Sequence, residues 1–179
     1  LDSAIECFNK GGIVVFPTDT VYGLGCRIDN MLAIERIRKI KTSRQSFPVL
    51  ITNLAQAHQL AVLDHAAEQL IKKYWPGGLT IVVNSRKRGE KIGLRLPNSK
   101  LIAEIIERIK SPIIGTSANF HGQRAPKSFE ELDPNLIKLT DFVLKGECEN
   151  KVESTVVDAT TFPYKILRSG AIKIDGIVH

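Results

Sequence analysis

Ile13-Val14-Val15-Phe16 is an apolar run of four residues closed by Gly12 on one side and Pro17 on the other. A run so short and so rich in β-branched residues is a buried strand, because a helix needs ten or more residues to bury a face. The same type of segment recurs along the chain. Val49–Ile51, Leu79–Val83, Ile92–Leu96, Pro112–Thr116, Phe142–Leu144, Thr155–Val157 and Lys165–Leu167 read as further strands. Helical periods lie between them. From Asn30 to Lys41 the residues Leu32, Ala33, Ile37 and Ile40 share one face. Asp64 caps a helix through Leu70 and Ile71 that must stop at Trp75-Pro76-Gly77-Gly78. Leu101, Ile102, Ile105, Ile106 and Ile109 form a strongly amphipathic helix, and Ser128 with Glu131 has capping-box spacing for a short one. Strands and helices do not alternate as clean βαβ units. The expected fold class is α/β, a single domain over residues 1–179 with a twisted, open, mixed sheet and flanking helices.

Composition narrows the function classes. The chain has 179 residues, room for one ordinary domain, and 43% hydrophobic residues suffice for one core. Cys7, Cys26 and Cys148 form no CxxC pair, so neither a zinc site nor a disulfide framework is indicated. Reduced thiols, no secretory leader in the visible N-terminus and no apolar stretch of membrane-spanning length make a cytoplasmic protein the expectation. Leu1 is not a natural start. Twenty-five Lys and Arg against 19 Asp and Glu give +6, which favours polyanionic partners such as RNA or nucleotide phosphates. The dense knot Arg86-Lys87-Arg88 reads as a solvated turn between two strands.

Several chemistries are excluded by their missing signatures. The chain has no GxxxxGK[ST] and no HExxH, and Gly23-Leu24-Gly25 lacks the third glycine of a dinucleotide fingerprint. Gly115-Thr116-Ser117-Ala118-Asn119 starts like a nucleophile elbow but ends in Asn119 where glycine is needed. His58 and His65 sit in helical context and read as surface residues. His121, in a polar loop, is not favoured for a role. What remains are hydroxyls, amides and cations at strand ends. Thr18, Asp19 and Thr20 follow the first strand, and Ser117 and Asn119 follow another. Ser154 precedes a third, and Arg95 and Arg168 end two more. Strand ends are where α/β sheets build ligand sites. Any one of these residues alone could equally be a turn residue or a surface cation. Together they lack a nucleophile and a plain acid–base pair, and suit a reaction driven by positioning and charge stabilisation, as nucleotidyl transfer is.

Four segments in order carry a resemblance: PTDTVYGLG from Pro17, GLRLPNS, GTSANFHG, and VESTVVD followed by ILRSG. In these the chain resembles the YrdC-like L-threonylcarbamoyladenylate synthases over nearly its whole length. The resemblance implies a YrdC-like fold with a basic concave face. It implies a nucleotidyltransferase that forms threonylcarbamoyl-AMP and pyrophosphate from L-threonine, bicarbonate and ATP. Other proteins then transfer the threonylcarbamoyl group to the adenosine next to the anticodon of tRNA. Carried over residue by residue, it places Thr18, Arg95, Gly115 and Ser154 on the threonine or carbamate. It places Lys41, Arg44, Ser117, Asn119 and Arg168 on the ATP, with charge stabilisation by Lys41 and Arg44.

Magnesium is expected with the ATP, without a dedicated protein metal site. Expected partners are the threonylcarbamoyl-transfer proteins and tRNA or double-stranded RNA; no membrane partner is expected. The family's K-x-R segment is irregular here. Lys41 matches the lysine, Ser43 stands at the arginine position and Arg44 is one residue late; alternatively Lys39 and Lys41 fill the two places. Two rival readings are a basic RNA-binding or ribosome-maturation module and a sister enzyme making carbamoyl-AMP from carbamoyl phosphate. The first lacks an RRM or KH signature and has only 6% aromatic residues.

Overall fold

The computed structural model describes residues 1–174. Its helices are α1 (Asp2–Asn9), α2 (Met31–Lys41), α3 (Leu54–Leu60), α4 (His65–Tyr74), α5 (Lys100–Ile109) and α6 (Pro134–Ile137). Its strands are β1 (Val14–Phe16), β2 (Gly23–Gly25), β3 (Val49–Leu50), β4 (Ala61–Val62), β5 (Leu79–Ser85), β6 (Lys91–Arg95), β7 (Ile113–Ile114), β8 (Thr116–Ser117), β9 (Phe142–Val143), β10 (Thr155–Asp158) and β11 (Lys165–Arg168).

The strands form two open mixed sheets. One has the order β8-β2-β1-β9, with β1 and β9 parallel and the other pairs antiparallel. The other has the order β11-β10-β5-β6-β3-β7, with β4 also on β5; its parallel pairs are β10–β5 and β3–β6. The sequence predicts one strand over 112–116, but this segment is divided. Ile113–Ile114 pairs with β3, whereas Thr116–Ser117 pairs with β2 in the other sheet. Gly115 is the crossing point. Its N–H donates to Pro48 O at 2.9 Å, and a Cβ there would come within 2.5 Å of the Leu50 side chain.

Local signals explain the helix boundaries. Asn30, Asn53, Asp64 and Ser99 each cap a helix, their side-chain oxygens accepting from the backbone N–H three residues on. Helix α2 ends at Thr42, which adopts a left-handed conformation (φ 49°), so the chain turns away directly after Lys41. Arg38, Lys39 and Lys41 in its last turn complement the helix dipole.

The apolar face of α5 (Ile102, Ile105, Ile106, Ile109) joins Ala4, Ile5 and Phe8 of α1 against Val14, Phe16 and Ile113. Truncating any of these isoleucines to alanine leaves a cavity costing about 2–5 kcal/mol. A larger cluster joins Ile37 and Ile40 of α2 and Leu70 and Ile71 of α4 to Val15, Leu24, Leu79, Ile81 and Leu94.

Some local expectations are corrected. Leu32 is 83% exposed, and Ile34 takes its place on the buried face of α2. The Ser128–Glu131 segment is a single 3-10 turn, Phe129–Glu131, without the Ser128 cap; Glu131 instead accepts from the N–H of Lys127. Helices α1, α3 and α6 and strands β2 and β4 are additional to the sequence-predicted elements. Arg86-Lys87-Arg88 is the exposed turn between β5 and β6, as its composition implies.

Candidate active site

A cleft of about 140 Å³ opens at the seam between the two sheets. Six of the sequence-predicted site residues line it: Thr18, Arg95, Gly115, Ser117, Ser154 and Arg168. They converge because β1, β6, β8, β10 and β11 all begin or end there. The volume lies below the roughly 300–1,000 Å³ of drug-sized ligand sites. It suits a small polar molecule, with anything larger lying across the open mouth.

Arg95 ends β6 and is 3% exposed. Its guanidinium forms an ion pair with the fully buried carboxylate of Asp19 and donates to Thr20 Oγ1 at 3.0 Å. The second carboxylate oxygen of Asp19 accepts the N–H of Asn98 at 3.0 Å. Burial pushes the Arg95 guanidinium below its ordinary pKa, and the charge and hydrogen bond of Asp19 oppose this. Two of the five N–H donors of Arg95 are thus engaged. Thr18 belongs to the same network. Its hydroxyl donates to Val21 O at 2.7 Å, accepts from Thr20 N at 3.1 Å and lies 3.0 Å from Thr20 Oγ1.

The opposite wall comes from β10 and β11. Arg168 donates through Nε and NH2 to Ser154 O at 3.0 and 2.9 Å, and through NH2 to Ser154 Oγ at 3.0 Å. Its NH1 reaches Glu153 Oε1 at 3.1 Å, an ion pair of partly exposed groups. Ser154 Oγ also lies 2.8 Å from Thr80 Oγ1 of β5, which fixes its rotamer.

Lys41 and Asn119 stand behind the Ser117 wall. The Lys41 ammonium donates to Ser117 O at 2.8 Å, Asn119 O at 2.7 Å and Asn119 Oδ1 at 2.8 Å, with Ser117 Oγ further away at 3.5 Å. Burial lowers its pKa from the usual 10.5 to about 8, against the raising influence of Glu153. Ser117 Oγ donates to Asn119 Oδ1 at 2.6 Å, and Asn119 Nδ2 donates to Gln123 O at 2.6 Å. Arg44 is exposed on the loop after α2 and does not line the cleft. His58, His65 and His121 are exposed.

Four further residues complete the site. Asp19 and Thr20 share the PTDT run with Thr18, and only the fold shows that they hold Arg95. Thr80 looks like an ordinary strand residue. Glu153 precedes Ser154 and is the carboxylate that lines the cleft. Tyr22, in the same PTDTVYGLG run, donates to Gly146 O at 2.6 Å and accepts from Gly146 N at 2.9 Å, tying the site's floor to the segment after β9. Cys7, Cys26 and Cys148 are free thiols, and burial pushes that of Cys26 up to about 12. Among the described residues there is no group of three or more potential metal ligands, and no helix is long and apolar enough to cross a membrane.

The fold is shared with known proteins. The profile of the Sua5–YciO–YrdC family, described as "Telomere recombination", matches residues 6–170. The threonylcarbamoyl-AMP synthase of Pyrococcus abyssi is 33% identical over 94% of this chain, which spans 53% of that protein. The synthase of Stenotrophomonas maltophilia is 29% identical over 88% of this chain and 91% of its own length. Escherichia coli YciO, an uncharacterized protein, is 28% identical over 95% of this chain and 88% of its own length. Among solved structures, P. abyssi Sua5 complexed with L-threonine superposes with a TM-score of 0.86 at 30% identity, over 94% of this chain and 53% of that one. E. coli YciO superposes with a TM-score of 0.83 at 28% identity, over 94% of this chain and 88% of that one. With the profile covering nearly its whole length, the chain belongs to the Sua5–YciO–YrdC family.

Proposed function

We propose that this chain is a threonylcarbamoyl-AMP synthase that joins L-threonine, bicarbonate and ATP and releases pyrophosphate. One observation carries the reading. A buried arginine with unspent donors, Arg95, faces a small cleft that is also lined by Arg168 and by Ser117, with Asn119 behind it. This pairs a carboxylate-binding end with a phosphate-binding edge, at a size suited to an amino acid. Relatives named threonylcarbamoyl-AMP synthase, one of them solved with L-threonine, support it.

In this reading Arg95 binds the threonine carboxylate, and Thr18 and the Gly115 backbone position the rest of the amino acid. Ser154 faces the carbamate. Bicarbonate loses hydroxide to give carbon dioxide; the neutral threonine amine adds to that carbon, and the proton it loses combines with the hydroxide as water, leaving a carbamate. A carbamate oxygen then attacks the α-phosphorus of ATP; the new P–O bond forms as the bond to pyrophosphate breaks. Arg168, Ser117 and Asn119 hold the phosphates and Lys41 supports the same side, while Arg44, exposed on its loop outside the cleft, would have to swing in to reach them. Fixing both substrates in one cleft supplies much of the acceleration, because attack becomes effectively unimolecular.

Magnesium fits this donor set as a companion of ATP. Such ions take most of their ligands from phosphates and water with one or two carboxylates, and Glu153 lines the cleft. When bound, the ion offsets phosphate charge. The product would pass to threonylcarbamoyl-transfer proteins acting on tRNA, and the chain's charge of +6 suits an RNA partner. Pyrophosphate release that requires both threonine and bicarbonate tests the reading.

A further inference from the structure

The three cations of the site are not equivalent. Arg95 engages two of its five donors, and Arg168 keeps part of its fork unspent. Lys41 has three N–H donors, and three oxygens take them at 2.7–2.8 Å: Ser117 O, Asn119 O and Asn119 Oδ1. The residue is 9% exposed and does not line the cleft. To touch a phosphate, the ammonium would have to abandon bonds to a turn whose Ser117 does line it. Within that turn the hydroxyl of Ser117 is held by Asn119 Oδ1, and Asn119 Oδ1 is held by Lys41. The aim of both polar side chains therefore depends on the ammonium behind them.

We propose that Lys41 is a positioning residue: its ammonium clamps the Ser117–Asn119 turn in a ligand-ready shape and acts on the nucleotide through that turn. The nucleotide part rests on the function proposed above; the clamp itself does not. A lysine suits the task because a compact ammonium with three diverging donors fits three oxygens around a point. A planar guanidinium carries the same charge but not that geometry.

The test uses Lys41→Met and Lys41→Arg, with two readouts on the full chain. Native-state amide exchange followed by NMR reports the turn through the N–H groups of Ala118 and Asn119, with β10 amides as the internal reference. ATP binding reports the consequence. The clamp predicts roughly tenfold or faster exchange at the turn in both variants, with β10 unchanged, as expected when charge-assisted bonds are lost. It also predicts that both variants weaken ATP binding by roughly tenfold. Unchanged exchange at the turn in a folded variant overturns the clamp. Retention of normal ATP affinity by Lys41→Arg overturns the indirect route, since only the charge would then matter. If the unaltered chain binds no ATP, the proposed function fails, while the exchange result still decides the clamp.

Discussion

Asp19 and Arg95 form an ion pair at the floor of the cleft, with side chains 0% and 3% exposed. They are separated by 76 residues and brought together because β1 and β6 end at the same place. Buried pairs of this kind add little net stability over apolar residues, but removing one partner strands the other charge. Asp19→Ala should therefore destabilise the fold by about 3–5 kcal/mol, measured by urea or thermal unfolding. A loss well under 1 kcal/mol would show that Arg95 is solvated and not held as described.

Arg95→Lys tests the geometry of the same pair. A lysine keeps the charge but cannot hold Asp19, Thr20 and a ligand carboxylate together. Threonine-dependent kcat/KM should fall by about a hundredfold, as for a lost bidentate contact. Near-normal turnover at low threonine would remove Arg95 from the substrate carboxylate.

Lys41 gives a signed pH dependence. Its pKa falls from 10.5 to about 8 on burial. Between these values the unfolded chain holds a proton that the folded chain has lost. Stability conferred by Lys41 therefore rises with pH across that window. Lys41→Met lacks this titration. The difference in unfolding free energy between the unaltered chain and Lys41→Met should move in favour of the former by on the order of 2–3 kcal/mol from about pH 7 to about pH 10. A flat difference would show that the bonds to Ser117 and Asn119 fully offset the desolvation of the ammonium.

Gly25 explains part of the PTDTVYGLG run in physical terms. A Cβ at this position would overlap the carbonyl oxygen of Ile114, where β2 lies against the segment that crosses between sheets. Backbone cannot swing aside as a side chain can, so Gly25→Ala should destabilise the protein by about 3 kcal/mol, near the upper end for overpacking. Gly115→Ala meets the movable Leu50 side chain and should cost less. Comparing the two melting temperatures checks the order.

Much of the site is legible because its residues sit at strand ends, and strand ends show as apolar runs stopping at Thr18, Arg95, Ser117 and Arg168. Their partners are not legible. Asp19 differs little from any acid in a turn until the fold sets it against Arg95. Lys41 looks like one of several cations closing α2, and its bonds to the 117–119 turn span 76 to 78 residues of sequence. Arg44 shows the converse: the resemblance makes it a candidate for the phosphates although it stands one residue late for the motif, and it does not line the cleft. The fold is legible where the apolar period is long, as in α5. It fails for α1 and α3, whose eight and seven residues are too short to show a sustained helical period, and at Gly115, where one apolar run serves two sheets.

The most direct measurement is pyrophosphate release from ATP by the purified chain with magnesium, L-threonine and bicarbonate. Release should require both threonine and bicarbonate, with threonylcarbamoyl-AMP as the matching product. Release that ignores threonine, or that occurs only with carbamoyl phosphate, would contradict the proposed function.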